Sequence, residues 1–168
     1  RVMLKNQIKK LKKQNLIMKS GVECEYFLIS PDGNSIADPR DTQSKPCYDQ
    51  SALMRRYDLI KEICDCMIEM GWGPYQNDHE DANGQFEMNW DYSDCLKTAD
   101  RHTFFKFMVK TIAEKHGLRA TFMPKPFGNL TGNGCHAHVS VWQGSKNKFL
   151  DNKDKLGLSK MAYNFLGG

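Results

Sequence analysis

Hydrophobic and polar positions follow two different periods along the chain, and the switches between them mark its elements. Leu4, Ile8 and Leu11 recur at helical spacing among lysines, which predicts a helix over residues 1–15. Residues 21–30 alternate instead. Val22, Cys24, Tyr26 and Leu28 take one face of a predicted strand, and Glu23, Glu25, Phe27 and Ile29 the other. Pro31-Asp32-Gly33-Asn34 is turn sequence, and residues 38–50 are polar and read as a loop. Asp49 or Ser51 then caps a helix from about residue 52 to 70, striped by Leu53, Tyr57, Ile60, Cys64, Met67 and Ile68 and ended by Gly71. Residues 72–92 predict a hairpin turning at Asp81-Ala82-Asn83-Gly84, whose second strand sets Gln85, Glu87 and Asn89 against Phe86, Met88 and Trp90. Ser93 or Asp94 caps a long helix over 95–115, with Phe104, Phe105, Met108, Val109, Ile112 and Ala113 as its core stripe and Gly117 at its end. A strand over 118–123 leads into a loop, 125–134, with three glycines and a proline. A strand over 135–142, a polar turn and a short helix over 159–166 follow. Strand, helix, hairpin, helix and strands in this order predict an α+β sheet with helices packed on one face.

Composition adds little to that picture except in its distribution. The 168 residues suit one domain, and 40% hydrophobic with 26% charged residues is ordinary for a globular chain. No apolar run approaches the ~18 residues of a membrane span, and the basic start has no apolar region of the signal-peptide kind. The net charge of +4 is concentrated at the start: residues 1–19 carry seven basic side chains and no acidic one, leaving 17 basic against 20 acidic in the remainder. The basic leader has no aromatic residue, so it reads as a solvated helix face and not as a nucleic-acid surface. Six cysteines (24, 47, 64, 66, 95 and 135) include no CxxC pair; they read as reduced core residues of a cytoplasmic protein. With no initiating Met and no cap ahead of the first helix, the chain reads as a fragment of a longer protein.

The chemistry lies on the strand faces. Glu23 and Glu25 share a face with Phe27 and Ile29, where like charges are unfavourable unless a cation joins them. Glu80 enters the predicted hairpin turn and Glu87 leaves it, placing two more carboxylates near each other; a solvated pair is an equal reading of these two. The 125–134 loop allows backbone amides to approach a charged ligand, and the strand after it projects His136, His138 and Ser140 from one face. A solvated strand beside a glycine loop is as good a reading of that stretch alone. Four carboxylates and one imidazole suit Mg²⁺ or Mn²⁺ better than Zn²⁺, and their number suggests two ions, an arrangement used in phosphoryl transfer.

These segments together resemble the catalytic domain of the glutamine synthetase family. Lys125-Pro126-Phe127, Thr131-Gly132-Asn133-Gly134-Cys135-His136 and Ser140 fit its ATP-region signature; residues 21–27 resemble its first metal strand, and residues 79–87 its second metal segment. Ala99-Asp100, His116-Gly117 and residues 120–126 are similar as well. The resemblance implies an antiparallel-rich curved sheet with helices packed on its outer face. It divides the chain into a lead-in helix and linker (1–20) and a partial catalytic domain (21–168), with the family's N-terminal β-grasp domain and C-terminal part absent. It also implies Glu25, Glu80 and Glu87 on one ion, Glu23 and His136 on a second, His138 and Ser140 at ATP, and Thr131 and Gly132 at substrate glutamate. The family has Asn where this chain has Thr131. The implied reaction joins glutamate to ammonia through γ-glutamyl phosphate, in a homo-oligomer, with the remaining catalytic groups outside these residues, so the fragment alone is expected to be inactive. A ligase using methylamine or a polyamine, and a non-catalytic relative, are the alternatives.

Overall fold

The computed structural model describes residues 1–168. In chain order the elements are α1 (Val2–Lys12), β1 (Ile17–Ile29), α2 (Gln50–Met54), α3 (Tyr57–Glu69), β2 (Pro74–His79), β3 (Gln85–Trp90), β4 (Ser93–Asp94), α4 (Cys95–Lys115), β5 (Arg119–Thr121), β6 (Cys135–Gln143), β7 (Lys146–Asn147) and α5 (Lys160–Leu166). They form two compact units. The larger comprises Val22–Asp91 and Arg101–His136; the smaller comprises Arg1–Gly21, Tyr92–Asp100 and Ala137–Gly168.

In the larger unit β1 is flanked by antiparallel partners. β3 pairs with it in the register Cys24↔Met88, Glu25↔Glu87, Tyr26↔Phe86 and Phe27↔Gln85. β2 pairs with β3 through Asn77↔Met88, Asp78↔Glu87 and His79↔Phe86, and β5 pairs with the end of β1 through Leu28↔Ala120. Because side chains alternate across a pleated strand, this register divides the sheet into two faces. Cys24, Tyr26, Leu28, Phe86, Met88 and Trp90 face helices α3 and α4, which bring Leu59, Ile60, Ile63, Met67, Phe105, Met108, Val109, Ile112 and Ala113 into the same core. Tyr26 sits among Phe86, Phe105 and Phe122, with ring centroids 5.6–6.2 Å apart, and Trp90 stacks 4.9 Å from Phe105. The α+β class, an antiparallel-rich sheet backed by helices on its outer face, is the one the sequence predicts. The face turned away from the helices carries the carboxylates.

In the smaller unit β4 pairs with the first residues of β1 (Lys19↔Asp94, Ser20↔Ser93), and β6 pairs with β7. The Lys19 ammonium lies 4.1 Å from the centre of the Trp142 ring.

Three differences from the sequence reading have physical causes. The predicted helix over 52–70 is two helices, because Arg56 leaves helical geometry (φ −114°, ψ 14°). Its guanidinium donates to the Ala37 carbonyl at 2.7 Å, while Arg55 bonds the buried Asp38. The two arginines thus tie the helix junction to the preceding loop. The first helix ends before residue 15, where Asn15 turns left-handed (φ 56°), and β1 starts at Ile17. Cys135 is exposed and departs from the core reading; Cys24 and Cys95 are buried, the other three are half-buried, and all six are free thiols.

Candidate metal centre

The site grows out of the sheet register. Glu25 on β1, Glu87 on β3 and Asp78 on β2 occupy one row across three adjacent strands. Glu80 follows β2, where its N–H donates to the Gln85 carbonyl at 2.9 Å. Asp78, Glu80 and Glu87 each place a carboxylate oxygen within 4.8 Å of the others. Burial drives the Glu80 carboxyl up to about 7, with Glu87, Glu25, Asp78 and Asp81 adding to the rise. Glu87 is raised as well, first by burial and against the bond that Asn89 Nδ2 donates to its Oε1 at 2.9 Å. Groups held this way accumulate negative charge that a divalent cation would neutralise, and an all-oxygen donor set of this spacing fits Mg²⁺ or Mn²⁺.

The glycine loop closes over Glu25. Gly134 N–H donates to Glu25 Oε2 at 2.9 Å, and Gln85 Nε2 reaches the same oxygen at 3.1 Å. Gln85 is fully buried, and its Nε2 also lies 3.0 Å from the Gly132 carbonyl and 2.9 Å from Asn133 Oδ1. One amide thereby couples the loop, β1 and β3. Gly132 has no room for a side chain, since a Cβ there would lie 2.4 Å from the Pro124 carbonyl oxygen. Beside this cluster, His136 Nδ1 and Glu23 Oε2 are 3.1 Å apart, and the bond to Glu23 raises the imidazole pKa.

The five residues predicted as metal ligands, Glu23, Glu25, Glu80, Glu87 and His136, all lie in the larger unit. They form two subsets: Glu25, Glu80 and Glu87 in and beside the acidic row, and Glu23 with His136. Thr131 is exposed on the loop, and Gly132 is half-buried. His138 and Ser140 belong to the smaller unit, where Ser140 Oγ accepts a bond from Trp142 Nε1 at 2.8 Å. Residues 135–138 are exposed on both strand faces. Asp78, Gln85, Asn133 and Asp41 belong to the site's framework and were assigned no role from the sequence. Asp78 had a readable signal, two positions before Glu80 on a strand and so on the same face. Asp41 had none, lying in a polar loop far along the chain from the turn it serves.

The titrations here act in one direction on stability. Glu80 and Glu87 have folded pKa values above their free ones, so the stability they allow is present while they stay protonated and falls as pH rises from about 4.5 through about 7. The raised His136 adds a loss in the same direction above its free value of 6.5. Asp41, held low, stays ionised throughout this window. In chelator, the wild-type melting temperature should therefore fall between pH 5 and pH 8 by ~2–4 °C more than that of Glu80→Gln, as ~1 kcal/mol does in a chain of this size. The comparison cancels the opposite contribution of His102, whose pKa burial lowers. Mg²⁺ should restore the wild type at pH 8. Parallel profiles in the two proteins would contradict this electrostatic account.

The fold and the site define an α+β domain whose carboxylate-walled antiparallel sheet lies under a glycine-rich loop. The chain belongs to the glutamine synthetase catalytic-domain family, whose family model matches residues 1–168. It is 66% identical over 170 residues to the glutamine synthetase of Rhizobium meliloti, covering all of this chain and 39% of that protein. It is 43% identical to the glutamate–methylamine ligase of Methyloversatilis universalis, again over all of this chain and 39% of the relative. A solved GmaS without ligand superposes with a TM-score of 0.95 at 65% identity, over 98% of this chain and 39% of that one. The chain thus spans about two fifths of the length of the relatives it matches. No helix is long and apolar enough to cross a membrane.

Proposed function

We propose that this chain supplies the metal-lined wall of an ATP-dependent ligase that joins the γ-carboxyl of glutamate to an amine, with ammonia as the acceptor. The observation that supports it most is the acidic row Glu25–Glu87–Asp78 with Glu80, set beneath the glycine loop and beside the Glu23–His136 pair.

In this reading Glu25, Glu80 and Glu87 hold one Mg²⁺ or Mn²⁺, and Glu23 and His136 contribute to a second. Bound cations would supply charge neutralisation where two anions, a carboxylate and a triphosphate, must meet. His138 and Ser140 contact ATP, and Thr131 and Gly132 contact glutamate. The γ-carboxylate attacks the γ-phosphoryl group, ADP leaves, and the amine displaces phosphate from γ-glutamyl phosphate. The chain's own residues prepare this reaction: Gln85 and Gly134 orient Glu25, Asn89 orients Glu87, and Trp142 orients Ser140. We assign residues 21–168 to part of the catalytic domain, with 1–20 leading in, of a cytoplasmic homo-oligomer whose other catalytic groups come from outside these residues.

A second reading takes methylamine as the acceptor. It is favoured by the 65% identity to the solved GmaS and the 43% identity to a glutamate–methylamine ligase, together with Thr131 at a substrate-loop position. Phosphate release from ATP by the full-length protein, with glutamate and either ammonium or methylamine, decides. A higher kcat/KM for ammonium is the expected result. A preference for methylamine of ~10-fold or more, the discrimination one methyl group commonly provides, would replace the acceptor. No release with either amine would overturn the ligase reading.

A further inference from the structure

Asp41 lies in the loop between β1 and α2, which the sequence offers only as a polar connection, yet it is 3% exposed. Three donors converge on its carboxylate. His79 Nε2 and Gly84 N–H both reach Oδ2 at 2.6 Å, and Asn83 Nδ2 reaches Oδ1 at 3.0 Å. Burial opposes the charge on Asp41, but the bonds from Asn83, Gly84 and His79 prevail and keep its carboxyl below the usual range.

His79 is fully buried, and its other nitrogen, Nδ1, lies 3.0 Å from the Glu80 carbonyl oxygen. Both ring nitrogens of His79 are thus engaged, Nε2 by Asp41 and Nδ1 by the Glu80 carbonyl, which fixes the ring between the loop and the turn. The same loop is fastened a second time, where Tyr48 N–H donates to the His79 carbonyl at 2.8 Å.

One buried carboxylate thus grips both ends of the turn between β2 and β3: His79 before it, Asn83 and Gly84 within it. Glu80 opens that turn, and Gln85 and Glu87 follow it. Gln85 then carries the connection to Glu25 Oε2.

We propose that Asp41 is the positioning residue of the carboxylate wall: through His79 and Gly84 it fixes where Glu80 and Glu87 stand relative to each other and so sets the site's affinity for a divalent cation. The inference rests on the metal-binding role proposed above. It assigns Asp41 no contact with cation or substrate. Partners that orient metal ligands in this way commonly affect affinity by ~10–100-fold.

The test is Mn²⁺ titration by calorimetry on the full-length protein and its Asp41→Ala and Asp41→Asn variants, with melting temperatures measured in chelator. Ile63→Val, a truncation in the fully buried helix core, serves as a control for lost stability alone. Asp41→Ala is expected to weaken Mn²⁺ binding by ~10–100-fold and Asp41→Asn by less, because the amide keeps one acceptor for three donors. Ile63→Val should lower the melting temperature and leave the affinity unchanged. If Asp41→Ala fails to fold, the isosteric Asp41→Asn carries the test. Wild-type affinity in the Asp41 variants, or an equal loss of affinity in Ile63→Val, would overturn the positioning role. A wild-type protein that binds no Mn²⁺ would overturn the metal reading itself, and this inference with it.

Discussion

Glu87→Gln should weaken divalent-cation binding by ~100-fold or more and lower ligase turnover by ~10²–10³, while raising the melting temperature of the metal-free protein. Glu87 stands between Glu25 and Asp78 in the acidic row and is 7% exposed. The substitution keeps shape and volume, and the new amide oxygen still accepts the bond from Asn89. Only the charge is removed. In the metal-free protein that charge is a burden, since burial and its neighbours Glu23, Glu25 and Asp78 all raise its pKa. Removing it relieves repulsion, so stability should increase. With a cation present the sign reverses, because the site loses a charged ligand that water or a neutral amide replaces poorly. Preorganised charge of this kind is worth ~10²–10³ in rate where it faces the reacting groups. The opposite signs make the prediction specific: an ordinary structural glutamate would lose stability and leave Mn²⁺ affinity alone. Calorimetric Mn²⁺ titration alongside thermal melts in chelator reads both quantities. Wild-type affinity in the variant would remove Glu87 from the metal centre.

The hydrophobic pattern carried most of this fold because the core elements set an apolar face against a polar one, although α1 buries no residue and β3 buries all six. Alternation in residues 22–29 and 85–90 put Tyr26, Leu28, Phe86 and Met88 on the core face and left Glu25 and Glu87 on the opposite one, which is where they stand. The long helix over 95–115 was legible from the glycine after it and from most of its apolar stripe, but Phe104 of that stripe is 44% exposed, and Tyr57 and Ile68 of the stripe read over 52–70 are 47% and 62% exposed. Register was not legible. Nothing local states that Glu25 opposes Glu87 or that Asp78 joins them, since strand pairing is set by packing across distant segments. Side-chain bonds across long sequence separations were hidden for the same reason: Asp41 reaches Gly84, and Gln85 reaches Gly132, through bonds that no periodicity encodes. The helix break at Arg55-Arg56 belongs here too, because a good helical stripe was overridden by a buried Asp38 that needed a cation.

The glycine loop provides the second large effect, through space and not through backbone freedom. Gly134→Ala should lower activity by ~10²-fold and destabilise the protein by ~1–3 kcal/mol, the usual range for an inserted methyl with nowhere to go. A Cβ at this position would lie 2.7 Å from Glu25 Oε1 and 3.0 Å from His136 Nε2, so the methyl enters between residues of the two predicted ligand subsets. The backbone has little room to retreat. Gly134 N–H donates to Glu25 Oε2 at 2.9 Å, and its carbonyl accepts from Glu25 N–H at 3.4 Å. Relieving the clash means rotating Glu25 out of the acidic row or breaking the bonds that hold the loop to β1, and either route disturbs the cation site. Reacting geometry held by such contacts loses ~10²-fold for a displacement of about 1 Å. Gly128 supplies the contrast within the same loop: a Cβ there meets nothing within 4 Å, so Gly128→Ala should be neutral or slightly stabilising by ~0.4–1 kcal/mol. Paired measurement of kcat/KM, Mn²⁺ affinity and thermal stability on the two variants separates a loop that merely dislikes alanine from one whose single missing side chain makes room for Glu25 and His136. Indistinguishable behaviour of the two variants would show that Gly134 has no such role.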